Sequence, residues 1–200
     1  MSVDFQEVVR KRRMVRSFED RPLAHEVVER ILSNAQRAPS AGYSQGWAFV
    51  VFEGRQQTQA YWDAVGPDEP ESFQWPDLYN APLLVVCLSN KTAYLDRYAE
   101  ADKGWSDRDE AHWPAPYWDI DTGMAALLIL LTAVDAGLGA LFFGVPPDKI
   151  ARLREAFGIP PELHPIGTVA VGYPKPHDPP SASLRRGRRP PEQVIHRGRW

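Results

Sequence analysis

The stretch DIDTGMAALLILLTAVDAGLG, Asp119 to Gly139, decides how the chain folds. Its apolar residues run almost all the way round a helix, so no face suits water and the helix must be covered on every side. Asp121 reads as its N-cap and Gly137 as its C-terminal stop. The cap also explains Asp121 better than paired-carboxylate chemistry with Asp119 does. The apolar core, Gly123 to Val134, is too short to span a bilayer and is bracketed by Asp121 and Asp135, so no transmembrane segment is expected. In a chain of 200 residues, part of the helix's cover is expected from a second subunit.

Working outward, ALFFG (140–144) reads as a short strand, PPDKIARLREAFG (146–158) as a surface helix opened by proline, and HPIGTVAVGYP (164–174) as another strand. On the N-terminal side, APLLVVCLS (81–89) and WAFVVFE (47–53) read as strands, the former buried. Ser2–Arg13, with Phe5, Val8, Val9 and Arg12 at helical spacing, predicts a first helix. A second, striped by Val27, Ile31, Leu32 and Ala35, ends before Pro39, and a short helix is expected over Arg55–Val65. The loop APSAGYSQGW (38–47) is rich in small and turn residues. Gly66–Pro82 is irregular. Tyr94–Tyr117 is an excursion without clean periodicity, in which Trp105, Trp113, Tyr117 and Trp118 form either an aromatic lid or packing between subunits. Helices and strands interleave around few strands, which predicts one α+β domain over residues 1–200, its sheet flanked by helices, with 177–200 as an extended arm.

Composition narrows the function. A formal net charge of −3 and a pI near 6.0 argue against a dedicated nucleic-acid binder. The single cysteine, Cys87, lies in an apolar strand where burial discourages nucleophilic chemistry, and a lone thiol fits a reducing, cytoplasmic setting. The N-terminus has no signal-peptide core and reads as mature protein. The five histidines show no metal-ligand spacing, and CxxC and HExxH patterns are absent. The turn GLGALFFG follows a helix rather than a strand, so it is not a dinucleotide fingerprint.

Two arginine clusters remain: Arg10, Lys11, Arg12, Arg13 and Arg16, and Arg185, Arg186, Arg188 and Arg189. A solvated helix end accounts for Arg10 to Arg13 but not for Arg16, and the second cluster alone reads as a solvated tail or nucleic-acid arm. Together they suit a phosphate, whose oxygens guanidinium forks bind bidentately.

RRMVRSF (12–18), APSAGYSQGWAFVV (38–51), DAGLGALFFG (135–144) and RRGRRPPEQVI (185–195) occur in an order and at a spacing that resemble the FMN-dependent nitroreductase family. Each motif alone is weak, but four in register cover essentially the whole chain. The resemblance implies a nitroreductase-like mixed sheet and an interlocked homodimer with FMN at its seam. It implies that Arg12 and Arg13 hold the FMN phosphate and that Arg16 approaches the ring's pyrimidine edge. Pro39, Ser40, Ala41, Tyr43 and Gln45 would reach the ring from the other protomer. Phe142, Phe143 and Gly144 would lie over it, and Arg186 and Arg188 would add phosphate contacts. Met14 stands where the family commonly carries serine, and Tyr43 where it carries asparagine. The activity implied is hydride transfer from NADH or NADPH through FMN to a nitroaromatic, quinone or similar small-molecule acceptor. Such transfer needs orientation and exclusion of water more than a positioned acid or base, so no catalytic side chain is assigned. A flavin-cleaving enzyme of the dimethylbenzimidazole synthase kind and a flavin-storing protein are the alternatives, with Met14 counting against the former.

Overall fold

A computed structural model describes residues 4–200. Four strands, β1 (Trp47–Glu53), β2 (Leu83–Asn90), β3 (Gly139–Phe143) and β4 (Leu163–Gly172), form one sheet in the order β1-β2-β4-β3. Every neighbouring pair is antiparallel, with Phe49 opposite Cys87, Val85 opposite Val169 and Leu141 opposite Ala170. The expected mixed sheet is therefore corrected. Helix α3 (Gly54–Val65) and helix α6 (Ile150–Phe157) each return the chain to the sheet end it left, which makes β1–β2 and β3–β4 antiparallel. β2 and β3 do run the same way, but β4 lies between them. The one parallel contact among the described residues is an isolated bridge from Met14 to Ala140.

β2 is buried along nearly its whole length, and its alternate side chains serve opposite layers. Leu84, Val86 and Leu88 pack with Tyr61 and Trp62 of α3 and Leu153 of α6. Leu83, Val85 and Cys87 pack with helix α2 (His25–Ala35) and helix α5 (Tyr117–Asp135). Removing any of these fully buried chains, as in Leu84→Ala, costs about 2–5 kcal/mol.

The Asp119–Gly139 stretch supplies α5, closed by Gly137 at φ +74° as the sequence suggests. Its start is earlier than expected: the helix begins at Tyr117, and Asp121 lies buried in its second turn rather than capping it. At 19 residues with a mean hydropathy of 1.4, α5 is long and apolar enough to cross a bilayer on length and composition alone, which the shorter Gly123–Val134 run is not. Half of it is buried within the fold, against α2 and the sheet.

Helix α1 covers Phe5–Lys11, its first turn held by Asp4 accepting from the Gln6 amide. Ser2 lies outside the described residues, and Arg12 and Arg13 follow the helix in extended chain. Lys91–Ala99, expected to be mostly irregular, is helix α4, capped by the Asn90 side chain accepting from Ala93 N–H at 3.2 Å. Trp113 sits 4.5–6.1 Å, ring to ring, from Tyr94, Tyr98, Trp105, Tyr117 and Trp118, so these aromatics pack on one another within the chain. After β4 the chain is tied back through Lys175 N–H to the Ser17 carbonyl, and from Ala182 to Trp200 every residue is exposed.

Candidate active site

A cavity of about 410 Å³ opens beside the end of β3. That volume falls in the range of small-molecule sites, about 300–1000 Å³. Its walls are mostly apolar and aromatic, and two of the sequence-predicted groups meet there: Arg16, and the run Phe142, Phe143, Gly144. Lys149, ion-paired with Asp68, adds a second cation.

Each side of this cavity is built by a distinct device. The chain leaving α1 is pinned to β3 by Val15 N–H donating to the Ala140 carbonyl at 3.0 Å. Arg16 N–H then donates to Asp178 Oδ1 at 2.9 Å, and its guanidinium lies over the Trp75 ring, 5.2 Å from the centroid. Its Nη1 donates a long bond to the Met14 carbonyl at 3.4 Å, and the remaining guanidinium N–H groups have no partner among the described residues. On the opposite wall Phe143 stacks on Trp62 at 5.7 Å with the rings 9° from parallel. Phe142 rests on Gly167 of β4, where a Cβ would come within 2.5 Å of its ring. Glycine is required there for close approach.

Below the cavity, Asp77 accepts from Lys175 Nζ at 2.7 Å and Ser17 Oγ at 2.8 Å, and these bonds, the lysine's first, hold its carboxyl below the usual range. Burial raises the Tyr61 phenol, and its bond to the Thr168 hydroxyl at 2.9 Å only partly offsets this. Trp62 Nε1 and Tyr79 Oη are buried without a hydrogen-bond partner among the described residues.

Arg13 turns elsewhere. It pairs with Asp178, whose side chain is 2% exposed, and lines a separate cavity of about 340 Å³ with Lys11 and Asp135. Arg12 is half-buried, and Met14 bridges to Ala140 with its side chain against both core layers. Pro39, Ser40, Ala41, Tyr43 and Gln45 do not line the Arg16 cavity, but sit where the loop meets α4 and α5. Arg186 and Arg188 are exposed on the arm, with no side-chain hydrogen bond among the described residues. Within one chain, then, the structure joins Arg16 to Phe142–Gly144 and leaves the loop and the arm apart from them.

The loop from Ser40 to Gly46 is a second ordered region. Tyr43 and Gln45 both hold left-handed backbone, φ +57° and +49°, uncommon for residues with side chains. Ser40 Oγ accepts from Gln45 N–H at 2.9 Å, Arg97 Nε donates to the Gly42 carbonyl at 3.0 Å, and Asn90 N–H donates to the Gly46 carbonyl at 2.8 Å. Tyr43 at the tip is 75% exposed.

Sequence reasoning did not find Trp62, Trp75 or Asp178. Trp62 carries the ordinary pattern of a core helix, Trp75 sits in the irregular Gly66–Pro82 segment, and Asp178 acts across 162 residues on Arg16.

A family model of the nitroreductase family matches residues 9–173, most of the chain and all the elements that build this cavity. The chain belongs to the nitroreductase family. Membership makes it an oxidoreductase. A relative from Archaeoglobus fulgidus, described as "Putative NADH dehydrogenase/NAD(P)H nitroreductase", is 32% identical over 82% of this chain and 82% of its own. An "NADPH-dependent oxidoreductase" from Staphylococcus aureus strain MRSA252 is 26% identical over 100% of this chain and 75% of its own. Among solved structures, a "putative nitroreductase in complex with FMN" from Exiguobacterium sibiricum matches at a TM-score of 0.73 and 20% identity, covering 98% of each chain, which shows the shared fold. Arg186 and Arg188 lie beyond the segment that the nitroreductase model matches.

Proposed function

We propose that this nitroreductase-family protein takes hydride from NADH or NADPH onto bound FMN and passes the electrons to a nitroaromatic, quinone or similar small acceptor. The observation that carries this reading is the meeting of the Arg16 guanidinium and the Phe142–Gly144 strand end across one aromatic-walled cavity. FMN, when bound, supplies two-electron chemistry at its N5 atom. The chain's part is to bind, orient and exclude water. Flat walls such as the Trp62–Phe143 stack suit an aromatic ring system. Arg16 is always cationic and already stacked on Trp75, so it favours negative charge at the ring edge it faces without reorganising. Arg12, Arg13, Arg186 and Arg188 are the phosphate ligands of this reading. Arg13 reaches that role by exchanging the Asp178 carboxylate for the phosphate.

The reading includes a homodimer. Tyr117, Ile120, Met124 and Leu127 form an exposed apolar stripe along α5, and Phe5 and Val9 of α1 are exposed as well. Such a stripe, together with an arm that its own chain leaves uncovered, favours burial against a second copy, whose Ser40–Gln45 loop would complete the site. The single buried cysteine fits a reducing cytoplasm.

The test is a visible spectrum of the purified protein after FMN addition, followed by anaerobic NADH or NADPH and then a nitroaromatic acceptor. Bleaching and acceptor turnover are expected. A protein that stays colourless after added FMN overturns the reading, a yellow protein that does not bleach makes it a flavin store, and destruction of the chromophore under oxygen makes it a flavin-cleaving enzyme.

A further inference from the structure

Asp121 is 3% exposed, carries no basic partner among the described residues, and takes no part in the chemistry above. A lone buried carboxylate is costly to keep unless donors satisfy it. Its Oδ2 accepts two: the Ala41 backbone N–H at 2.8 Å and the Tyr94 phenol at 2.8 Å. Tyr94 is itself fully buried and packs directly under the far end of the same loop, where a Cβ on Gly46 would come within 2.4 Å of its ring. One helical turn on, Tyr98 stands under Gly42, where a Cβ would come within 2.6 Å. Asp121 and α4 thus bracket the loop at both ends, and between those ends lie its two non-glycine residues in left-handed backbone, Tyr43 and Gln45. Backbone held in such conformations persists only where its surroundings over-determine it.

We propose that Asp121, acting with Tyr94, is a positioning residue that fixes the Ser40–Gly46 loop in the shape with which it meets the flavin of the second protomer. Its consequence for flavin rests on the function proposed above, whereas its hold on the loop does not. Both bonds go to one oxygen, so Asn Oδ1 can accept them from Ala41 and Tyr94 at unchanged side-chain size, while its NH2 group brings donors to where the other carboxylate oxygen stood. A hydrophobic replacement leaves the Ala41 N–H and the phenol unsatisfied in a buried place.

The experiment compares the full-length wild type with Asp121→Asn, Asp121→Ala and Tyr94→Phe. Amide hydrogen exchange over residues 39–46 and over β2 is measured first without and then with added FMN, followed by steady-state turnover with NADPH and a quinone. In Asp121→Ala, exchange over 39–46 should speed at least tenfold while β2 keeps its protection, and acceptor KM and FMN Kd should rise with it. Tyr94→Phe should show a smaller change of the same kind, and Asp121→Asn should return both readouts to within about twofold of wild type. Unchanged exchange over 39–46 in Asp121→Ala overturns the proposal, as does loss of protection in β2 to the same degree, which would make Asp121 a general stabiliser. Loop exchange that speeds as expected in a wild-type and variant series that binds no FMN supports the anchor and refutes the flavin reading.

Discussion

The Ser40–Gly46 loop and the arm from Ala182 to Trp200 both carry residues that family resemblance assigns to the cofactor, yet the chain treats them in opposite ways. The loop contains strained backbone and is tied at Ser40, Ala41, Gly42 and Gly46 by bonds of 2.8–3.0 Å to its own chain. The arm contains no such strain at Arg186 and Arg188 and is bonded mainly to itself, as where Arg189 donates to the Gln193 carbonyl. A shape that must be presented to a ligand without further cost is built before the ligand arrives. A segment without cover pays its ordering entropy only when something docks against it. On the function proposed above the loop belongs to the first kind and the arm to the second, so changes to them should separate geometry from assembly.

The largest effect is expected from deleting the arm after Pro180. Losing two charge-assisted phosphate contacts, about 1.5–3 kcal/mol each, should weaken FMN at least about a hundredfold by fluorescence titration, while the far-ultraviolet circular dichroism of the sheet and helices is retained. A truncated protein that binds FMN as the whole chain does would remove the arm from the site. Arg16→Ala removes the cation proposed for the ring edge rather than a phosphate contact, and should raise the FMN Kd about tenfold or lower the midpoint potential, read by spectroelectrochemistry. If both values match wild type, Arg16 has no part in flavin binding.

Gly46→Ala attacks the loop from within. The new methyl meets the Tyr94 ring at 2.4 Å and the Asn90 carbonyl oxygen at 2.9 Å, and backbone cannot yield as a flexible side chain does. An overpacking cost of about 1–3 kcal/mol should lower the thermal midpoint and raise acceptor KM, making the loop as unconstrained as the arm. The smallest effect concerns the anchor of the arm's root, Lys175–Asp77. Because Lys175 and Ser17 hold the Asp77 carboxyl below its unfolded value, its contribution is complete above the ordinary carboxylate range and is lost as pH falls through the lowered folded value. The pair is about a third exposed, so the contribution is below about 1 kcal/mol. Asp77→Asn should lower stability slightly at pH 7 and leave it less dependent on pH below about 4, measured by urea unfolding across that range.

The strands were legible because local pattern suffices for them: β2 is apolar through Leu88, and the alternation that serves two layers is a property of any strand. Helix α4 was not, since it buries only Tyr94 and so shows no stripe; its one local sign was Asn90 at the capping position. Asp121 misleads for a similar reason. An acid just ahead of an apolar run is the mark of a cap, and what makes it something else is Ala41, 80 residues away. The two halves of the cavity share the same difficulty. Nothing near Arg16 in sequence announces Trp75 beneath it or Phe142 across from it, and only the order of four motifs brought those segments into one expectation.

Cys87 is the chain's only thiol and sits at the centre of the sheet, where burial pushes it up to about 12. The thiolate is the reactive form of cysteine, and a thiol buried among apolar side chains is inert. Here the sulfur is shielded by β1 and β4 on either side and by α2 and α5 above, so a small electrophile meets no accessible sulfur unless the sheet opens.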